Sequence, residues 1–257
     1  MTEHVIISDT GRVRRIEMHR PEKKNALTRA MYRHLTKAIE DAERDPAVRI
    51  VTISGTGDAF TSGNDIADFA DGRPSDGEVP AMAFLRAISQ ARKPLLAGVN
   101  GHAVGIGVTM LLHCDLVYAA EEATFQLPFV NLGLIPEAAS SLLLPMRVGH
   151  HRAAELLFFG NKFDARTAHE LGLVNAIYAR ETLQSTLDER AAALAQKPPE
   201  SLRLTKELLK GGAFAAAVSA RLAEERSHFE KRLLSPEARE AMEAFAQKRT
   251  PDFSRFT

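Results

Sequence analysis

The chain has little cysteine and no net charge. Cys114 is its single cysteine, and 33 basic residues balance 33 acidic ones over 257 residues. One cysteine excludes an intrachain disulfide and fits a reducing compartment. The neutral balance argues against a general nucleic-acid binder, which carries a basic excess. No apolar run approaches the ~20 residues that a bilayer-spanning helix needs. The start, Met1-Thr2-Glu3-His4, lacks the basic-then-apolar order of a secretory signal, and Ser254-Arg255-Phe256-Thr257 is not a Ser-Lys-Leu peroxisomal address. The expectation is a cytoplasmic protein with neither membrane nor nucleic acid as partner. Several catalytic signatures are missing too. There is no Walker A sequence, no Gly-x-Ser-x-Gly and no His-Glu-x-x-His. Gly105-Ile106-Gly107 fails as a dinucleotide fingerprint because Met110 stands where the third glycine belongs. Adjacent His150 and His151 point apart on a helix and make a poor chelate.

What is present is an ordinary globular composition, with 45% hydrophobic and 26% charged residues. The spacing predicts strands over 5–8 and 13–18, a helix capped by Thr28 and stopped at Asp45-Pro46, and a buried strand over 49–54. A helix over 82–91, a strand over 95–99, a helix over 108–112 and strands over 116–119 and 124–126 follow. Strand–loop–helix thus occurs twice, at 49–91 and 95–113, which argues for an α/β layer architecture. Residues 71–80 are the most loop-like stretch and are expected to be mobile. Beyond 138 helices predominate: 138–147, 151–159, 165–171 and 181–196, with one strand at 173–177 and a wholly helical end after Pro198-Pro199. A boundary near 197 divides the chain into residues 1–197 and 198–257.

Three segments can carry chemistry. In Ala59-Phe60-Thr61-Ser62-Gly63-Asn64-Asp65-Ile66, small residues after a strand let backbone amides approach a ligand, or simply make a turn with a helix cap. In Asn100-Gly101-His102-Ala103-Val104-Gly105-Ile106-Gly107, a helix start offers N–H groups to an anion, or glycines for close packing. In Asn131-Leu132-Gly133-Leu134-Ile135-Pro136-Glu137, the glutamate reads as a partner of a helix dipole or as a general base in an apolar pocket. Cys114, between apolar stretches, reads as a small core residue.

In this order the segments resemble the crotonase (enoyl-CoA hydratase/isomerase) superfamily. The resemblance runs from Arg20-Pro21-Glu22-Lys23-Lys24-Asn25-Ala26-Leu27 through 60–66 and 93–107 to Cys114-Asp115-Leu116-Val117-Tyr118-Ala119, 125–137 and Gly172-Leu173-Val174. It implies a spiral of ββα units, residues 1–197, with a helical trimerisation region over 198–257. It further implies an acyl-CoA thioester substrate and homotrimers, which can pair into hexamers. The thioester oxygen would rest on the backbone amides of Asn64 and Ile106. Ser62, Asp65 and Ile66 would border adenine and pantetheine, with Ala26 and Leu27 nearby. Lys24 would meet phosphate, and Lys248 the CoA of a neighbouring subunit; both lysines read equally as solvated surface charges. Gly63, Gly105, Phe129, Leu132 and Pro136 complete the expected lining.

Carboxylates separate the subfamilies. Hydratases carry two glutamates, and the matched positions here hold Thr109 and Phe129, neither of which can activate water. The remaining Glu137 resembles the single catalytic glutamate of the peroxisomal-type Δ3-Δ2-enoyl-CoA isomerases. No cofactor is implied, since coenzyme A is part of the substrate. The alternatives are an enoyl-CoA hydratase, a CoA-ester hydrolase or another acyl-CoA enzyme of the superfamily, or a non-catalytic acyl-CoA- or RNA-binding homologue. A dehalogenase-like reaction would, by resemblance, need a tryptophan, and the chain has none.

Overall fold

The structure, a computed structural model, describes residues 4–65, 68 and 79–256. Ile66 and most of the loop expected at 71–80 lie outside the described residues.

Successive strands alternate between two sheets. The larger sheet has six strands in the order β1 (Val5–Thr10), β2 (Val13–Met18), β3 (Ile50–Gly55), β5 (Leu95–Val99), β7 (Leu116–Ala120), β10 (Ala176–Tyr178). Only the β1–β2 hairpin is antiparallel within it. The smaller sheet has four strands in the order β4 (Ala59–Thr61), β6 (His102–Val104), β8 (Thr124–Gln126), β9 (Phe163–Asp164). The pairs β3–β4, β5–β6 and β7–β8 therefore each place one strand in either sheet, which is the expected spiral of ββα units. Every residue of β5 is buried, and only Gly55 of β3 is not. Continuous apolar runs are what a parallel sheet covered on both faces requires.

Helix α1 (Arg29–Arg44) starts where Thr28 accepts a hydrogen bond from the Met31 amide. Its buried stripe Met31, Tyr32, Leu35, Ala38, Ile39, Ala42 repeats at helical spacing. Helix α2 (Pro80–Ser89) packs against α1. Helix α3 (Ile106–Thr109) begins two residues earlier than the spacing predicts and tightens into a 3-10 turn over Met110–His113. Then come α4 (Ser140–Val148), α5 (His150–Phe159), α6 (Ala165–Glu170) and α7 (Arg180–Ala195). The last three helices are α8 (Pro199–Lys210), α9 (Gly212–Leu233) and α10 (Pro236–Ala246).

Three expectations need correction. The strand expected at 173–177 is confined to Ala176–Tyr178, because Gly172, at φ +73°, turns the chain as it leaves α6. The end is not wholly helical. After α10, Lys248 takes a positive φ, and Glu240 gathers Arg249, Arg255 and the Asp252 amide into a non-helical tail. Glu137 does not begin a helix; α4 starts at Ser140, since Ala138 and Ala139 both have positive φ.

Helix α8 is fastened to the spiral by charge. Lys206 and Lys210 both reach Asp115, at 2.7 and 2.8 Å, and Asp115 also accepts from the Leu95 amide. Burial pushes the Asp115 carboxyl up, but the two ammonium groups prevail and hold it below its ordinary value. Leaving any of these charges alone would be costly, since a buried ion without its partner is strongly destabilising.

Candidate active site

The first Gly-rich segment is held by backbone pairing. The Leu27 amide donates to Gly63 O (2.8 Å) and the Asp65 amide to Leu27 O (2.9 Å). In such a parallel bridge the residue between the two bonded ones turns its own N–H the other way. The Asn64 amide accordingly points away from Leu27, and among the described residues it has no acceptor. Its side chain is fixed by Tyr32, whose hydroxyl donates to Asn64 Oδ1 at 2.5 Å. Burial, and then the nearby Glu137 carboxyl, push the Tyr32 phenol well above its ordinary range, so it remains a donor.

The second Gly-rich segment runs alongside. Strand β4 pairs with β6, and Gly63, at φ +91°, presses against Val104 O, where an added Cβ would stand at 3.0 Å. Gly105 precedes α3 with φ +57° and ψ −115°, a conformation open in practice to glycine alone. That turn presents Ile106 as the first helical residue, whose N–H has no partner within the helix. Neither its amide nor that of Asn64 has an acceptor among the described residues.

Glu137 is 7% exposed. Thr109, at the end of α3, donates to Glu137 Oε1 at 2.5 Å. Burial pushes the Glu137 carboxyl up to about 8; the Thr109 hydroxyl opposes the rise and Glu225 adds to it. A carboxyl so tuned is poised to exchange a proton near neutral pH. Two hydrogen bonds thus tie side chains to the candidate groups, Tyr32 to Asn64 and Thr109, at the end of the helix begun by Ile106, to Glu137, and the charge of Glu137 is felt at Tyr32.

The segment bearing Glu137 is clamped. His113, lowered by burial to about 4 and hence neutral, donates from Nε2 to Ala138 O at 2.8 Å. Glu225 accepts from the Ala139 amide (2.6 Å), the Ser141 amide (2.9 Å) and the Ser141 hydroxyl (2.5 Å). Phe129 is buried, and Leu132 and Pro136 are half-buried on the same connection.

The remaining expected residues divide. Ser62 and Lys24 are joined backbone to backbone, and Lys24 is exposed. The Asp65 carboxylate is engaged by Arg20 at 2.6 Å, and the same guanidinium holds Ala26 O. Lys248 is exposed on the C-terminal turn, and no hydrogen bond links it to this group among the described residues. Cys114 is a buried core residue. No set of three or more His, Cys, Asp or Glu among the described residues is placed to hold a metal ion. A groove of about 600 Å3 between α2, α8 and α9 adjoins the site through His113, but neither Asn64, Ile106 nor Glu137 lines it.

Sequence reasoning passed over Tyr32, Asn25, His113 and Glu225, and took Thr109 only as a missing carboxylate. Asn25, fully buried, pins the 20–27 loop by accepting from the Arg20 amide and donating to Thr56 O and Ala59 O. Tyr32 lies on the buried side of α1, next to the predicted apolar stripe, and its hydroxyl was the one signal that could have set it apart from the core.

Comparison with known proteins identifies the family. The family model described as enoyl-CoA hydratase/isomerase matches residues 9–255. Enoyl-CoA delta isomerase 2 of Rattus norvegicus is 38% identical over 80% of this chain; the match covers 54% of that protein, so this chain spans about half its length. The 2,3-dehydroadipyl-CoA hydratase of Escherichia coli (strain K12) is 33% identical over 97% of this chain and 98% of its own. A crystal structure of an enoyl-CoA hydratase/isomerase from Pseudoalteromonas atlantica T6c superposes with a TM-score of 0.95 at 39% identity, covering 98% of this chain and 100% of the other. No helix of the described residues is long and apolar enough to cross a membrane. With the spiral of ββα units, the two free amides and a match over nearly its whole length, the chain belongs to the enoyl-CoA hydratase/isomerase, or crotonase, family.

Proposed function

We propose that this protein is a Δ3-Δ2-enoyl-CoA isomerase with Glu137 as its single base. The observation that carries the reading is the buried Glu137 carboxyl, raised to about 8 and bonded to Thr109 rather than to a second carboxylate. A 3-enoyl-CoA binds with its thioester oxygen on the amides of Asn64 and Ile106. Glu137 takes a proton from C2, and the electron pair left behind delocalises over C2–C4 and the thioester oxygen as a dienolate. The protonated Glu137 returns the proton at C4, and the double bond settles between C2 and C3. Charge develops on the thioester oxygen only as the reaction proceeds, so donors aimed there lower the barrier; removal of one such donor costs about 3–4 kcal/mol. Phe129, Leu132 and Ile135 exclude water from the dienolate. Efficient hydration would need a second group to activate water, and positions 109 and 129 hold a hydroxyl and a phenyl ring.

In the same reading coenzyme A enters only as part of the substrate. Lys24, Ser62, Gly63, Ala26, Leu27, Asp65 and Ile66 border it, and Gly105 sets the Ile106 amide. Residues 198–257 assemble homotrimers that can pair, with Lys248 reaching a neighbour's CoA. Support for assembly comes from apolar side chains left at the surface of this region: Leu208 is 88% exposed and Leu234 78%.

The test is an ultraviolet assay with trans-3-enoyl-CoA and product identification, run on wild type and Glu137→Gln. Conjugated 2-enoyl-CoA from wild type, lost in the variant, is expected. Equal rates in both, or 3-hydroxyacyl-CoA as the main product from 2-enoyl-CoA with none of the 3-enoyl substrate consumed, would overturn the reading.

A further inference from the structure

We propose that Glu225, on α9, is a positioning residue for the base: it holds the left-handed turn that aims the Glu137 carboxyl. This inference rests on the role given to Glu137 above. Ala138 and Ala139 have φ of +62° and +55°. A left-handed φ is unfavourable for alanine, which otherwise favours the right-handed helix that begins one residue later. Such a pair persists only if its surroundings hold it. The Glu225 carboxylate does so with three bonds on one side, from the Ala139 amide, the Ser141 amide and the Ser141 hydroxyl. His113 holds Ala138 O on the other. Without them α4 would extend backward through 138, and Glu137 would swing away from Thr109.

Helix α9 grips the segment at its other end as well. Arg232 donates to Gly133 O at 3.0 Å. Residues 225 and 232 are seven apart, two helical turns, and so lie on one face of α9. One face of one helix thus fixes both flanks of 133–141, with Glu137 between them.

Charge gives the second handle. The groups facing Glu225 are Arg221 on its own helix and Glu137 on the segment leading into α4. Those facing Glu137 are Tyr32 on α1 and Glu225 on α9. Glu225 disfavours the ionised form of Glu137, so neutralising it lowers the Glu137 titration midpoint.

The experiment uses the full chain with Glu225→Gln and Ser141→Ala. Each is checked for folding by its melting curve, then followed by 3-enoyl-CoA kinetics and by carbon NMR titration of the Glu137 carboxyl. Glutamine keeps one accepting oxygen for three donors and removes the charge. The expected result is a kcat lower by roughly tenfold to a hundredfold, the scale of a misplaced reacting group, with KM nearly unchanged and the Glu137 midpoint displaced from its wild-type value. A folded Glu225→Gln with wild-type kcat and an unmoved midpoint would reduce Glu225 to a cap of α4 and overturn the proposal. If Glu225→Gln does not fold, Ser141→Ala decides: a severalfold loss in kcat at constant KM supports the proposal, and wild-type kcat overturns it. If wild type leaves 3-enoyl-CoA unchanged, the isomerase reading fails. The positioning role is then read from the Glu137 midpoint in Ser141→Ala, which keeps the Glu225 charge: an upward move, as the carboxyl leaves Thr109, supports it, and an unmoved midpoint refutes it.

Discussion

Replacing Thr109 with valine keeps the side chain's shape and removes the one hydrogen bond that reaches the Glu137 carboxyl among the described residues. That bond favours the ionised carboxylate, so its loss raises a midpoint that already lies at about 8. A hydrogen bond to a charged group is worth roughly 1.5–3 kcal/mol. At a factor of ten per ~1.4 kcal/mol, the ionised fraction below the midpoint falls roughly tenfold to a hundredfold. Only the ionised form can take a proton from C2, so kcat/KM at neutral pH falls by the same factor. At pH well above both midpoints the carboxylate is ionised in either protein, and the gap narrows to whatever orientation Thr109 supplies. The assay is the initial rate of 2-enoyl-CoA formation across pH, fitted for the acid limb of kcat/KM. The limb should move upward in Thr109→Val. A limb at the wild-type midpoint, with rates lowered equally at every pH, would refute the claim that Thr109 tunes the base.

Two further outcomes are expected. Glu137 has a folded-state value of about 8 against an ordinary 4.5, so its contribution to stability is full below 4.5 and is lost as pH rises through about 8. Glu137→Gln cannot ionise; its melting temperature should therefore gain on wild type across that window, by a few kcal/mol equivalent at the alkaline end, and a difference independent of pH would contradict the burial argument. Gly105→Ala meets no atom within 4 Å of the new Cβ, so its cost is conformational. Denaturant unfolding should show a loss of at least ~1–2 kcal/mol, and kcat should fall as the Ile106 amide is displaced; a variant with wild-type stability and kcat would count against the role of that turn.

Individual strands and helices were legible where periodicity is strong, while their winding into a spiral was implied only by the family resemblance. The alternation in 13–18, the buried run in 95–99 and the cap at Thr28 sit where the pattern places them. What could not be read was held by partners distant in sequence. Ala138 and Ala139 are helix formers by propensity, yet take positive φ where the side chains of His113 and Glu225 bond to them. Thr109 and Glu137 lie 28 residues apart and Tyr32 and Asn64 lie 32 apart, so no local spacing reports either bond. The two Gly-rich segments were visible as motifs because their chemistry is in the backbone. The side chains that orient that chemistry are a threonine, a tyrosine and a glutamate of ordinary surroundings in sequence.

The clamp on the Ala138–Ala139 turn also imposes an order in time. Every strand of both sheets lies before residue 179, whereas Glu225 follows Ala139 by 86 residues. Domains form from the N-terminus as the chain is synthesised. A growing chain can therefore close its sheets while the acceptor for the Ala139 and Ser141 amides has yet to be made. The Asn64 and Ile106 amides would be in place early, but the Glu137 carboxyl would gain its final direction only when α9 docks. Truncation within α9 should then yield a protein with a formed spiral and an unaimed Glu137: a vessel whose shape is set early and whose buried carboxyl at that position is aimed last.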